Sequence, residues 1–273
     1  MFTSGMQGIK RALRAPAMIG QFSSFWRGYR TWRFLKEWPG PVGNSELPST
    51  TNPLKDFFEA RKEGPGIWKW NHYFDIYHRY LNPFRGRDVR ILEIGIYSGG
   101  SLEMWREYFG ALCKIYGIDI EPTCREYERE RVTVFIGDQS SRDFWKRFKK
   151  EVQPVDIVID DGGHLPEQQI VTLEELLPHL NPGGIYICED IHGTLNPFSS
   201  YISGFSQTLH ASEKGQDNPH SNERRLVFQA TPVQSAIRAF HIYPFVTVIE
   251  MVDRPVSELV ASKHGTQWQP FLR

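Results

Sequence analysis

Asp156-Ile-Val-Ile-Asp-Asp-Gly-Gly-His164 (DIVIDDGGH) is the stretch on which the reading of the fold turns. A short β-branched run, Ile157 to Ile159, ends in two adjacent carboxylates, two glycines and an imidazole, as a buried parallel strand does when it delivers polar groups at its carboxyl end. The pattern recurs downstream, where Gly184-Ile-Tyr-Ile-Cys188 runs into Glu189 and Asp190. Two neighbouring strands would aim Asp161, Glu189 and Asp190 into one crevice. Three like charges there repel unless a cation neutralises them, so a metal site is expected.

Outward from that stretch, strands and helices alternate in the manner of a parallel sheet covered on both faces. Strands are expected near 89–94, 113–118, 132–136, 155–160 and 183–188, and helices near 100–109, 123–130, 141–151 and 165–178. Pro154, Pro182 and Gly183 punctuate the entries to the fourth and fifth strands. Past Asn196 a helix should reach about Ser212, followed by a polar loop from Glu213 to Arg225 and a helix near 231–238. Two apolar runs, Ala239–Ile242 and Phe245–Met251, then predict an antiparallel hairpin at the sheet edge. The expected fold is α/β: a Rossmann-like, doubly wound, mostly parallel seven-stranded sheet with an antiparallel C-terminal hairpin strand and a helical N-terminal extension.

With 273 residues, the chain accommodates one large α/β domain and an extension, but not two full domains. Lys plus Arg balances Asp plus Glu at 32 each, so no global field points to nucleic acid. Residues 1–40 differ, with seven basic residues against the single acid Glu37. That arm resembles a presequence, a surface helix for anionic lipid, or a solvated basic extension, and the last is expected. Pro39 to Pro53 reads as a linker and Leu54 to Arg61 as a short helix, giving an arm over 1–60 and a domain over 61–273. Cys113, Cys124 and Cys188 form an odd set without C-x-x-C spacing, which suits reduced thiols and a cytoplasmic protein. From Trp68 the chain turns aromatic; Phe74, Tyr77 and Leu81 share a helical face, while Trp68, Trp70, His72 and Tyr73 could roof a pocket.

The first strand ends ILEIG, and Gly95 to Ser101 lead into a helix, a turn whose free N–H groups suit an anion. A dinucleotide fingerprint requires glycine where Tyr97 stands, which disfavours a nicotinamide cofactor. Glu93 suits instead a ligand carrying an ammonium and a sulfonium, and S-adenosylmethionine has both. Asp119 at the second strand end is placed for ribose hydroxyls, and Asp138 and Gln139 after the third for adenine. Asp119 could equally cap the next turn, and Asp138 the helix near 141. Asp160 is a strand-end residue for backbone or the cofactor's amine.

The motifs LEIGIYSGGSLEMW, YGIDIEP, GDQS, IDDGGH and GGIYICEDIHG, in that order, resemble the class I S-adenosylmethionine-dependent methyltransferases. They are most similar to the metal-dependent sugar O-methyltransferases of macrolide biosynthesis (the mycinamicin type), with the cephalosporin-hydroxylase and rhamnosyl O-methyltransferase group further off. The similarity covers about 68–192 well, the last hairpin weakly and 1–60 not at all, and Gly163 stands where relatives often have Ser. The resemblance implies Asp161, Glu189 and Asp190 as Mg²⁺ ligands and His164 as base.

All-oxygen ligation favours Mg²⁺ over a soft metal, and His164, three residues after Asp161, carries the side chain type most used to remove a proton. Asp161 would thus serve ion and acceptor together, with His192 near the acceptor or at the surface. The expected partner is a small-molecule hydroxyl acceptor, a glycoside first of all; self-association stays open. Two rival classes are a nicotinamide-dependent oxidoreductase, opposed by Tyr97, and a noncatalytic cofactor-binding module that docks through its basic arm.

Overall fold

The computed structural model describes residues 23–31, 51–212 and 225–265. Most of the basic arm and the polar run over 213–224 lie outside the described residues. The chain divides into two units, Met1–Thr50 and Thr51–Arg273. In the first, a helix is described over 23–29. The second begins ahead of the short helix α1 (Pro53–Ala60), which the sequence reading grouped with the arm. Leu54 of α1 is fully buried in the core, and the Asn52 side chain caps α1 while donating to Phe74 O at 3.0 Å.

After α2 (Tyr73–Leu81) come β1 (Arg90–Ile94), α3 (Gly100–Phe109), β2 (Lys114–Asp119), β3 (Val132–Ile136) and α4 (Arg142–Glu151). Then follow β4 (Val155–Asp160), α5 (Pro166–Leu176), β5 (Leu180–Cys188), α6 (Pro197–Ser206), β6 (Arg225–Gln229), α7 (Pro232–Ala236), β7 (Ile237–Tyr243), β8 (Val246–Met251) and β9 (Glu258–Ser262). The main sheet has seven strands in the order β3-β2-β1-β4-β5-β8-β7. Its first five strands are parallel, and β8 and β7 are antiparallel to their neighbours β5 and β8. The expected sheet and its edge hairpin are therefore present.

Period-two alternation along the strands sorts their side chains into two cores. Ile91, Ile157, Ile159, Ile185, Ile187 and Val248 pack with α1, α2 and α3 on one face. Leu92, Val158, Tyr186, Cys188 and Ile249 pack with α4, α5 and α6 on the other. Each large buried side chain contributes about 1.5–3 kcal/mol, so two faces filled this way hold the strand ends rigidly enough to support a site. The hairpin joining β7 to β8 turns on two residues, Pro244 at its fixed negative φ and Phe245 at φ 64°, the sign pattern of a type II turn.

Three expectations need correction. In place of a helix near 123–130 there is a 3₁₀ turn, Pro122–Tyr127, because Arg129 and Val132 exchange two backbone hydrogen bonds and swing the chain into β3. The helix expected to reach Ser212 ends at Ser206 and tightens into a 3₁₀ turn, Gln207–His210. A second, two-stranded antiparallel sheet pairs β6 with β9; the sequence reading had placed neither strand.

Among the described residues, no helix is long and apolar enough to cross a membrane. All three cysteines are free and buried.

Candidate active site and metal centre

Strand order reverses between β1 and β4, and at the carboxyl ends of these strands lies a cavity of about 820 Å³. Ligands settle at such a switch point because the connections diverge there and leave a crevice. The turn after β1 supplies Gly95, Tyr97 and Ser101 to its wall, and the ends of β2 and β3 supply Asp119, Asp138 and Gln139. Asp161 and His164 enter from β4, Glu189 and Asp190 from β5, and the segment Gly66–Asn71 with Tyr73 closes the opposite side.

The glycines of the first turn answer to their neighbours. Gly95 has φ +83°, and a Cβ there would lie 2.0 Å from Asp161 O, so the backbones of the β1 and β4 exits touch. A Cβ on Gly100 would lie 2.3 Å from Gly66 O, where the 65–66 backbone crosses the start of α3. Tyr97 is exposed at φ 43°, and its N–H donates to Asp119 Oδ2 at 3.0 Å.

Not every expected cofactor residue reaches the cavity. Glu93 is fully buried beneath the wall: Ser101 Oγ donates to its Oε2 at 2.8 Å, while its Oε1 has no hydrogen-bond partner. Burial raises the pKa of this carboxyl. Asp160 is likewise behind the wall, accepting from Gln139 Nε2 at 3.0 Å and Tyr186 OH at 3.2 Å, with burial pushing its pKa up to about 7. Gln139 touches the cavity, but its amide is bound into the scaffold, accepting from Gly163 N at 2.7 Å and donating to Thr172 Oγ1 at 3.1 Å. Asp119 also accepts from Glu121 N at 3.0 Å, the turn-capping role weighed above. Asp138 caps its own turn through Ser140 N at 2.8 Å, and the helix start falls to Ser141, which accepts from Phe144 N at 3.2 Å.

The carboxylates of β4 and β5 are met by donors from the segment before β1. Lys69 Nζ, with its side chain 3% exposed, lies 2.5 Å from Asp161 Oδ2, 3.0 Å from Glu189 Oε2 and 3.8 Å from Glu93 Oε1. Tyr77 OH donates to Glu189 Oε1 at 2.6 Å. Trp70 Nε1 and Tyr73 OH donate to Asp190 Oδ1 at 2.9 and 2.8 Å. Burial works against the Lys69 ammonium, but the charges of Asp161, Glu189 and Glu93 outweigh it and raise its pKa. Burial also pushes Glu189 up to about 8 against the pull of Lys69, and raises Asp161. Removing one member of such a buried group costs about 3–5 kcal/mol, since the remaining charges lose their compensation.

Asp161, His164 and Asp190 each present a ligand atom within 4.8 Å of the others. His164 Nε2 stands 4.0 Å from Asp161 Oδ1 and 3.7 Å from Asp190 Oδ2. Adjacent ligands of an octahedral Mg²⁺ lie about 3 Å apart and opposite ones about 4 Å, so the 3.7 and 4.0 Å spacings approach those of one ion, to which the two carboxylates offer hard oxygen donors. Glu189 stands apart from this trio, with both oxygens on Lys69 and Tyr77. His164 and Asp190 hold φ +56° and +52°, a left-handed backbone that non-glycine residues adopt at a cost of order 1 kcal/mol or more. His192 lies beside Asp190 and packs on Phe245, with ring centroids 4.6 Å apart.

Sequence reasoning passed over Lys69 and assigned Tyr77 to packing. A signal was available: three carboxylates needed a cation, and a lysine lay between two tryptophans on the way into the sheet.

Sheet order, antiparallel edge and switch-point cavity together define a Rossmann-like methyltransferase domain. Residues 92–191 match the family model described as a methyltransferase domain, and the chain carries that domain as its motifs implied. It is 31% identical over 202 residues to the 8-demethyl-8-alpha-L-rhamnosyl tetracenomycin-C 2'-O-methyltransferase of Streptomyces olivaceus, covering 70% of this chain and 53% of that one. It is 37% identical over 171 residues to the demethylmacrocin O-methyltransferase of Streptomyces fradiae, covering 60% and 40%. Among solved structures, it is similar to the MycE methyltransferase from the mycinamycin biosynthetic pathway in complex with Mg and SAH, with a TM-score of 0.57 and 27% identity over 74% of this chain and 54% of that one. The chain spans about half the length of the curated relatives it matches.

Proposed function

We propose that this protein is a divalent-metal-dependent O-methyltransferase that moves a methyl group from S-adenosylmethionine to a hydroxyl of a small molecule, a sugar of a glycosylated natural product. The observation that carries the reading is one cavity in which the glycine turn of β1 and the Asp161, His164 and Asp190 group meet. The sugar as acceptor is supported by the name of one relative, an O-methyltransferase of a rhamnosyl tetracenomycin.

Asp161 and Asp190 would hold the ion, Mg²⁺ being favoured by their oxygen donors, and Glu189 would join them by giving up its contact with Lys69 or Tyr77. When bound, the sulfonium donor supplies an activated methyl group, and the divalent ion makes a neighbouring hydroxyl more acidic. His164 would take the hydroxyl proton on its imidazole, leaving the acceptor oxygen free to receive the methyl group. Ser101 and Asp119 orient the donor from the β1 and β2 exits, and Trp70 and His192 flank the acceptor side. The rigid strand ends would hold donor and acceptor in line, which is catalysis by proximity. Methyl-labelled S-adenosylmethionine offered with a panel of glycosides tests the reading. Transfer should stop in EDTA and resume with Mg²⁺; undiminished transfer in chelator would remove the metal from the reaction.

A further inference from the structure

Four buried or half-buried carboxylates, Glu93, Asp161, Glu189 and Asp190, gather at the ends of β1, β4 and β5, and Lys69 is the single Lys or Arg within 4.0 Å of any of them among the described residues. It reaches three of the four, one from each strand end, through a side chain almost sealed from water. The charge balance is still negative, and compensation is thinnest at Glu93 Oε1, which has no hydrogen bond and meets the ammonium only at 3.8 Å. We propose that Lys69 is a positioning residue acting as the site's built-in counter-cation: it fixes Asp161 and Glu189 in place before an ion arrives. The inference rests on the metal-dependent reading above.

Its consequence is a trade between ammonium and ion. Without Lys69, Asp161 and Glu189 repel across the gap until an external cation takes over their compensation. The test uses the full chain as wild type, Lys69→Met and Lys69→Met/Glu93→Gln, melted in EDTA and in millimolar Mn²⁺. Wild type should gain in Mn²⁺ only what binding of an ion to an already ordered site supplies, a smaller shift than that of the variant. Lys69→Met should melt at least about 4 °C lower in EDTA and regain most of the loss in Mn²⁺. The double variant, one carboxylate fewer, should regain much of it in EDTA alone, and it carries the comparison if the single variant unfolds outright. A loss in Lys69→Met that is equal in EDTA and Mn²⁺ would reduce Lys69 to packing and overturn the proposal, as would no loss in either. Absence of methyl transfer by wild type sinks the function proposed above and leaves these melts readable.

Discussion

Tyr73 and Asp190 are bound to each other twice: the phenol donates to Asp190 Oδ1 at 2.8 Å, and the Asp190 N–H donates back to the phenol oxygen at 3.3 Å. The pair anchors a residue whose backbone is left-handed, at the exit of β5, to the first turn of α2. Tyr73→Phe removes both bonds at once. Hydrogen bonds to charged groups contribute about 1.5–3 kcal/mol each, so the variant should lose about 2 kcal/mol of stability. It should also require several-fold more Mg²⁺ for half-maximal transfer. A urea titration and a Mg²⁺ titration of activity measure the two effects, and an unchanged Mg²⁺ requirement would detach Tyr73 from the ion.

His164 sits at φ +56°, which asparagine tolerates better than alanine. His164→Asn therefore removes the imidazole with little backbone disturbance. Turnover should fall about 10²–10⁴-fold, the usual contribution of a positioned base, while affinity for the cofactor product stays within about twofold by calorimetry. Turnover at the wild-type level would exclude His164 as base.

Acid stability carries a contribution from His179, whose Nε2 lies 3.0 Å from Val152 O and whose pKa is lowered by burial. The folded state resists the proton that the unfolded chain takes up as pH falls through 6.5. Unfolding then binds protons, and stability drops on the acid side while staying level above neutrality. Urea midpoints at pH 7.5 and 5.5 should differ less in His179→Gln than in wild type; equal differences would assign the acid loss to other groups.

The three thiols are buried, and burial pushes Cys188 well up and Cys124 to about 11. Iodoacetamide at pH 8 should label none of them in the folded protein and all three in urea, read by intact mass. Labelling of native Cys188 would mean that β5 opens far more readily than its packing implies.

Much of this molecule was legible in the chain because its chemistry is local. Strand ends such as IDDGGH and ICED announce themselves by a change from β-branched to acidic residues, and the unbroken apolar run Ile157, Val158 and Ile159 marks a strand covered on both faces. The parts that were missed depend on distance. β6 and β9 pair Gln229 with Glu258 across an intervening helix and hairpin, and neither segment alternates clearly enough to declare its partner. Lys69 lies well before β1 in a run read for its aromatics, and only the fold brings it to Asp161 and Glu189. Glu93 was read inside its strand and Asp160 at a strand end, yet both are buried behind the cavity wall, and strand position alone does not distinguish a wall residue from one just behind it.

Gly95 leaves room for the carbonyl of Asp161, so the loop that faces the donor and the loop that faces the ion are mechanically one piece. Any side chain at position 95 would wedge the two exits apart and damage donor binding and ion binding in the same stroke. Selection for a new donor cannot act on the first loop without being answered by the second, whereas Trp70 and His192, which the proposed function sets beside the acceptor, stand on separate segments and are free to diversify.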